Sequence, residues 1–342
     1  MISPRISTLL TNMSPNERFE ILWSFVEKRI PVFMVGPAGS GKSYVGLQIM
    51  RRYLEVYYNG SKIINLRDID EFKQDIREID IKALYVAGSA NVTKLDLLGG
   101  RLLIGGQYLR KPGHLKRMID EGGIVFIDEL TSLPPQFTIL LNEMIDSIFN
   151  KSAHENFYIF FAGNPSTYVG ANEIPDSLLE RVAGIWFDYY PLEDEVKIVY
   201  SMLNASKNYQ DITTDPDFMV FLEFIVAFLR SLRRNLEYSG EICPISVRSM
   251  YLAVNSILSF RGRVQPKIEV DRARASVYQI ISGDLPDNLV EIWKNRKIDA
   301  LFRFMKNHQI GWNHIREGII SLGILSKFIG SPQIEDILSR FP

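Results

Sequence analysis

Residues 36–43 read Gly36-Pro37-Ala38-Gly39-Ser40-Gly41-Lys42-Ser43, which fits the spacing G-x-x-x-x-G-K-[ST] in full. The chemistry of such a segment is anion binding. Glycines let successive backbone N–H groups curl around phosphate oxygens, and a helix that starts where the loop ends points its positive end at them. Lys42 supplies a charge for the β- and γ-phosphates, and the Ser43 hydroxyl is a ligand for Mg²⁺. Gly36, Pro37, Ala38, Gly39, Ser40, Gly41, Lys42, Ser43 and the adjoining Tyr44 are therefore the expected nucleotide-contacting residues. The alternative is a chance glycine-rich turn. The apolar run before the loop and the helical pattern after it both argue against chance.

Two further segments carry candidate chemistry. Ile124-Val-Phe-Ile127 runs into Asp128 and Glu129. An apolar strand that ends in two acids is costly unless the acids lie at its exposed end. Beside a phosphate loop, Asp128 is expected to hold Mg²⁺ through water and Glu129 to polarise an attacking water. A third apolar run, Tyr158 to Ala162, ends in Gly163-Asn164-Pro165. The Asn164 amide can both donate and accept, so it can orient a water or sense the γ-phosphate. A plain Asn-Pro turn is the alternative.

These residues need elements to position them. Helical spacing over 15–29 puts Phe19, Leu22, Trp23 and Val26 on one face, and Pro31 ends that run. Buried strands are expected at 32–35, 83–87, 124–127, 158–162 and 184–190, with helices at 43–57 and 134–149. Strands alternating with helices make an α/β fold, a parallel sheet covered by helices on both faces. After Pro191 only helical patterns are found, at 193–205, 216–237, 246–261, 269–282, 287–307, 313–327 and 332–340. A domain boundary is expected near 190–192.

Composition bounds the function classes. The chain has 342 residues, 46% hydrophobic and 23% charged, with a formal net charge of -1. That is enough for two or three cored domains and provides no global basic field for bulk nucleic-acid or membrane binding. A single cysteine, Cys243, excludes an intramolecular disulfide, and the four histidines show no metal-ligand spacing. No apolar run reaches the roughly twenty residues of a bilayer span, so a cytoplasmic location is expected.

Taken in order, the phosphate loop, GGIVFIDE, FAGNP, Asp176-Ser-Leu-Leu-Glu-Arg181 and Ser246-Val-Arg248 resemble the AAA+ ATPases. Ala87-Gly-Ser-Ala-Asn-Val-Thr-Lys-Leu-Asp96-Leu-Leu-Gly-Gly100 and Lys111-Pro-Gly113-His-Leu115 are similar to the MoxR branch, which includes the NorQ, CbbQ and GvpN proteins. The likeness covers roughly residues 15–282.

The resemblance implies a P-loop NTPase fold with an AAA+ core over 1–190 and a helical lid over 191–284; residues 285–342 lie outside the likeness and are read from their pattern alone as a helical C-terminal extension. It implies ATP and Mg²⁺ as ligands, Asn164 as sensor 1 and Arg181 as an arginine finger completing a neighbouring subunit's site. Arg248 would be the sensor-2 arginine, contacting the nucleotide from the lid. Ser246, after Pro244, is a suitable N-cap and would put Arg248 in a first helical turn. A finger acting in trans requires a homo-oligomer, and such families usually form hexamers. The implied activity is ATP hydrolysis by a chaperone that remodels or matures a protein client, often one with a von Willebrand factor A domain. A nucleic-acid-dependent motor or a viral or plasmid maintenance ATPase, and a nucleotide-gated assembly factor, as for gas vesicles, are the competing readings.

Residues 97–119 hold Arg101, Arg110, Lys111, Lys116 and Arg117 and no acid, and Gly105-Gly106-Gln107 reads as a hairpin turn. In the MoxR branch an insertion here faces the working surface; a solvated basic face is the plain alternative. Phe218, Phe221, Phe224 and Phe228 recur at core spacing, and Arg230, Arg233 and Arg234 read as a solvated helix face, with a second basic patch as the alternative.

Overall fold

The computed structural model describes residues 8–10, 13–60, 62–65, 81–88, 99–104, 107–134, 137–165, 173–206, 209–238, 245–261, 270–282 and 287–327. The chain divides into two compact units, Met1–Tyr189 and Tyr190–Pro342.

The first unit is built on a seven-stranded sheet. Its strands in chain order are β1 (Thr8–Leu10), β2 (Val32–Val35), β3 (Ile64–Asn65), β4 (Ala83–Ala87), β7 (Gly123–Asp128), β8 (Phe157–Gly163) and β9 (Ala183–Phe187). Laterally they run β1-β9-β2-β8-β7-β4-β3, and every pairing is parallel. β5 (Gly99–Ile104) and β6 (Gln107–Pro112) form a separate antiparallel hairpin in which Arg101 is in register with Arg110.

Alternation along the strands divides the core. Ile124, Phe126, Tyr158 and Phe160 join α1 (Pro15–Glu27) and α2 (Lys42–Tyr58) on one face. Val125, Ile127, Ile159 and Phe161 join α3 (His114–Glu121) and α4 (Phe137–Phe149) on the other. β7 and β8 are buried along their whole length, as a parallel sheet covered on both faces requires. The sequence-based fold class holds. β1 and β3 are edge strands of three and two residues, too short to leave a periodic signal.

α1 starts at a capping box: Ser14 Oγ accepts from Glu17 N, and the Glu17 carboxylate accepts from Ser14 N. α2 starts differently. Gly41 is its N-cap, with φ +89 and no side-chain cap.

The second unit holds helices and no strand among its described residues: α6 (Leu192–Asn204), α8 (Phe218–Tyr238), α9 (Val247–Ser259), α10 (Val270–Ser282), α12 (Ile298–Asn307) and α13 (Trp312–Ile320) are its longer members. The short α5 (Asp176–Leu179) belongs to the first unit; α7 (Gln210–Thr213) and α11 (Asp287–Ile292) belong to this one. The helix expected over 287–307 is interrupted by a π turn at Trp293–Lys297, and Trp293 Nε1 and Lys297 Nζ both donate to Glu223. One core holds residues from both 191–284 and 285–342: Phe218, Phe221 and Phe224 lie with Trp293, Phe304 and Trp312. The expected helix at 332–340 and Cys243 lie outside the described residues.

Arg230 and Arg233 do not form a solvated face. Both reach the buried Glu195 carboxylate, at 2.5 and 3.3 Å, and donate to the carbonyls of Tyr190 and Ile245. The partner acid is 35 and 38 residues away in sequence, so local spacing gave no sign of it.

Close contact between α2 and β7 supplies a test of the packing. A Cβ on Gly46 would meet the Phe126 ring at 2.4 Å. Alanine is the better helix former by about 1 kcal/mol, but overpacking costs about 1–3 kcal/mol. Gly46→Ala is therefore expected to lower the melting temperature; an unchanged or higher value would mean that the helix is not seated on this ring.

Candidate functional site

The sheet order brings the candidate chemistry together. β2 leads into the phosphate loop, β8 ends before Asn164 and β7 ends in Asp128; these three strands are adjacent, with β8 in the middle. Because all three run parallel, their carboxyl ends share one edge.

The loop turns through Gly39 and Gly41, at φ +80 and +89, a region that L side chains rarely enter. Ser40 is fully buried, and α2 begins with Lys42, Ser43 and Tyr44, with no acid in its first turn. Those first N–H groups are suited to an anion. Ser43 and Tyr44 are exposed.

Lys42 is 7% exposed. Its ammonium donates to the carbonyls of Gly36 and Pro37, both at 2.7 Å, and to Asn164 Oδ1 at 3.3 Å. Burial pulls its pKa down to about 8, against the opposing pull of Asp128 and Glu129.

Asp128 is buried and held at both oxygens. Tyr85 Oη donates to Oδ2 at 3.0 Å, and the Glu129 amide donates to Oδ1 at 3.0 Å. Tyr85, on β4 beside β7, was not singled out from sequence; only the register of Tyr85 with Phe126 brings its hydroxyl near the acid. Glu129 takes φ +53, unusual for a side chain without glycine's freedom, and is exposed. The strand thus ends with one acid fixed and the next turned outward.

Among the described residues no group of three or more His, Cys, Asp or Glu could hold a metal ion. Mg²⁺ bound with phosphates needs only one or two protein oxygens. An oriented carboxylate at Asp128 and an exposed hydroxyl at Ser43 fit that requirement.

Arg181 follows α5 and is held within its own chain: Nε donates to Asp146 Oδ1 at 2.8 Å and Nη1 to the Ser177 carbonyl at 2.6 Å. About a third of the side chain stays exposed. Arg248 lies in the second unit, exposed, in the first turn of α9, where Ser246 Oγ accepts from Ser249 N as an N-cap. The basic segment is partly neutralised. Lys116 pairs with Asp120 at 2.8 Å and Arg117 approaches Glu121 at 3.7 Å, acids that lie just beyond the acid-free window.

Residues 70–182 match the AAA domain (dynein-related subfamily). The matched stretch contains the acidic pair, Asn164 and Arg181, while the phosphate loop precedes it. Gas vesicle ATPase GvpN1 of Halobacterium salinarum is 25% identical over 227 residues, covering 60% of this chain and 57% of that protein. GvpN of Haloferax mediterranei is 24% identical over 224 residues, with the same coverage. Protein CbbQ of Hydrogenophilus thermoluteolus is 26% identical over 195 residues, covering 54% of this chain and 61% of that protein. The chain thus spans less than two thirds of the length of each. The resemblance to MoxR-branch AAA+ ATPases holds on this ground. Among the described residues no helix is long and apolar enough to cross a membrane.

The depressed pKa of Lys42 gives a pH test. A bound triphosphate favours the charged ammonium, so binding takes up a proton wherever the unbound side chain has lost one. Triphosphate affinity is expected to be level below pH 8 and to weaken above it, by up to about tenfold per unit. A fluorescent-nucleotide titration on both sides of that value checks this; constant affinity well above it would contradict it.

Proposed function

We propose that the chain binds ATP with Mg²⁺, hydrolyses the γ-phosphate and uses the cycle to remodel a protein partner. The observation that carries this reading is the convergence of Lys42, Asn164 and the Asp128–Glu129 pair at the carboxyl ends of three adjacent parallel strands. The loop amides hold the phosphates and Lys42 neutralises the terminal ones. Ser43 and Asp128 would hold the metal, and the ion when bound would supply charge neutralisation at the phosphates. Glu129 accepts a proton from the attacking water, and Asn164 orients that water. The water oxygen bonds to the γ-phosphorus as the bond to the β–γ bridging oxygen breaks, leaving ADP and phosphate.

Arg248 is read as the sensor-2 arginine. The similarity to GvpN and CbbQ supports a homo-oligomer, taken here as a hexamer, with Arg181 acting on a neighbouring subunit's nucleotide. It also supports a protein client. Two relatives are named as gas vesicle ATPases, so a protein assembly is as apt a client as an enzyme or a von Willebrand factor A domain.

Two measurements test this. Glu129→Gln should retain ATP binding, lose about 10²–10⁴-fold in turnover and hold its client with ATP but not with ADP. Retention of nucleic acid through moderate salt, with no protein, would instead favour a nucleic-acid motor. Arg181→Ala should keep ATP binding and lose about 10³–10⁵-fold in hydrolysis, whereas Asp146→Ala, which removes only the partner within the chain, should lose far less. Equal losses would reduce Arg181 to a structural ion pair.

A further inference from the structure

Arg18 has no part in the chemistry above, yet it is fully buried in the nucleotide-binding unit. It closes the first turn of α1, whose capping box fixes the direction of the helix start. Side chains on a helix lean toward its N-terminus, and the guanidinium turns back beneath the phosphate loop. Nε donates to the Met13 carbonyl at 3.1 Å. Nη1 donates to Ser40 at 3.1 Å and Asp188 at 2.7 Å, and Nη2 donates to Tyr189 at 3.2 Å. The guanidinium carbon lies 5.4 Å from the centre of the Phe187 ring. These four backbone carbonyls come from three separate stretches: the chain entering α1, the phosphate loop and the segment leaving β9.

A buried charge is expensive unless its donors are used. A methionine would fill similar space, but it would remove the donor from the Ser40, Asp188 and Tyr189 carbonyls together. The fixed fork of a guanidinium suits several carbonyls at once, whereas an ammonium is a single point.

The Ser40 carbonyl is the informative acceptor. A trans peptide is planar, so its C=O and the following N–H point in opposite directions. Holding Ser40 O on the Arg18 side turns the Gly41 N–H to the other side. Gly41 is the N-cap of α2, immediately before Lys42. We infer that Arg18 is a positioning residue for the triphosphate: it sets the Ser40–Gly41 peptide so that the Gly41 amide faces the phosphates. Through the same guanidinium it ties the loop to Asp188 and Tyr189, the last residues of the nucleotide-binding unit. Nucleotide occupancy is thereby felt at the chain's exit from that unit. This inference rests on the ATP reading above.

The test uses the full chain with Arg18→Lys and Arg18→Met, a fluorescent non-hydrolysable ATP analogue, and hydrogen–deuterium exchange. Both variants are expected to melt cooperatively and to bind the analogue at least about tenfold more weakly, with no rescue by lysine. In the wild type, saturating analogue should slow exchange at Gly41 and at Asp188 and Tyr189 together; in Arg18→Lys the protection at 188–189 should be lost even at saturation. A purely structural arginine would lower the melting temperature without linking the two segments. Wild-type affinity in either folded variant would overturn the inference. So would protection of the wild-type loop without protection at 188–189, a result that decides the matter even if the variants do not fold. Failure of the wild type to bind the analogue would instead overturn the ATP reading, and this inference with it.

Discussion

The parallel pairing of β2, β8 and β7 is the constraint on which the candidate site depends. Phe33 to Val35 pair with Phe161 to Gly163, and Gly123 to Ile127 pair with Phe157 to Phe161. The register ends all three strands at one edge, where the next residues of each are the phosphate loop, Asn164 and the acidic pair. A slip of one residue would turn each strand's side chains to the opposite face. The alternation of Phe126 and Phe160 toward α2 with Val125 and Ile159 toward α4 makes such a slip costly.

Around that edge the site is held by backbone-directed polar contacts within the unit. Lys42 lies on the carbonyls of Gly36 and Pro37, Arg18 on that of Ser40, and Asp128 between a tyrosine hydroxyl and an amide. The contacts of Arg18 and Asp128 fix their groups before any ligand arrives, and preorganisation of this kind lowers the cost of binding; Lys42 instead exchanges its carbonyls for the phosphates. The helical unit uses the same device: buried Glu195, with Arg230 and Arg233, fixes the carbonyls of Tyr190 and Ile245. Ile245 directly precedes the N-cap of the helix that bears Arg248.

What was legible in the sequence was local. The strands at 32–35 and 83–87 and the N-cap at Ser246 depend on a few consecutive residues, and they stand as read. What was missed depends on distant partners. Arg18 meets Asp188 across 170 positions, and Tyr85 meets Asp128 across 43. The strand expected over 184–190 stops at Phe187, because the carbonyls of Asp188 and Tyr189 turn to Arg18 rather than to a neighbouring strand. The helix His114–Glu121 is hard to tell from sequence because its basic residues continue the basic run of the hairpin before it, although their acidic partners stand four positions on.

The most direct test of the account is an experimental structure of the Glu129→Gln protein with ATP and Mg²⁺. The triphosphate is expected against the N–H groups of the loop between Gly36 and Ser43, with Lys42 on the terminal phosphates and the ion beside Ser43 and Asp128. A nucleotide bound elsewhere, or a triphosphate that leaves Lys42 on the carbonyls of Gly36 and Pro37, would contradict it.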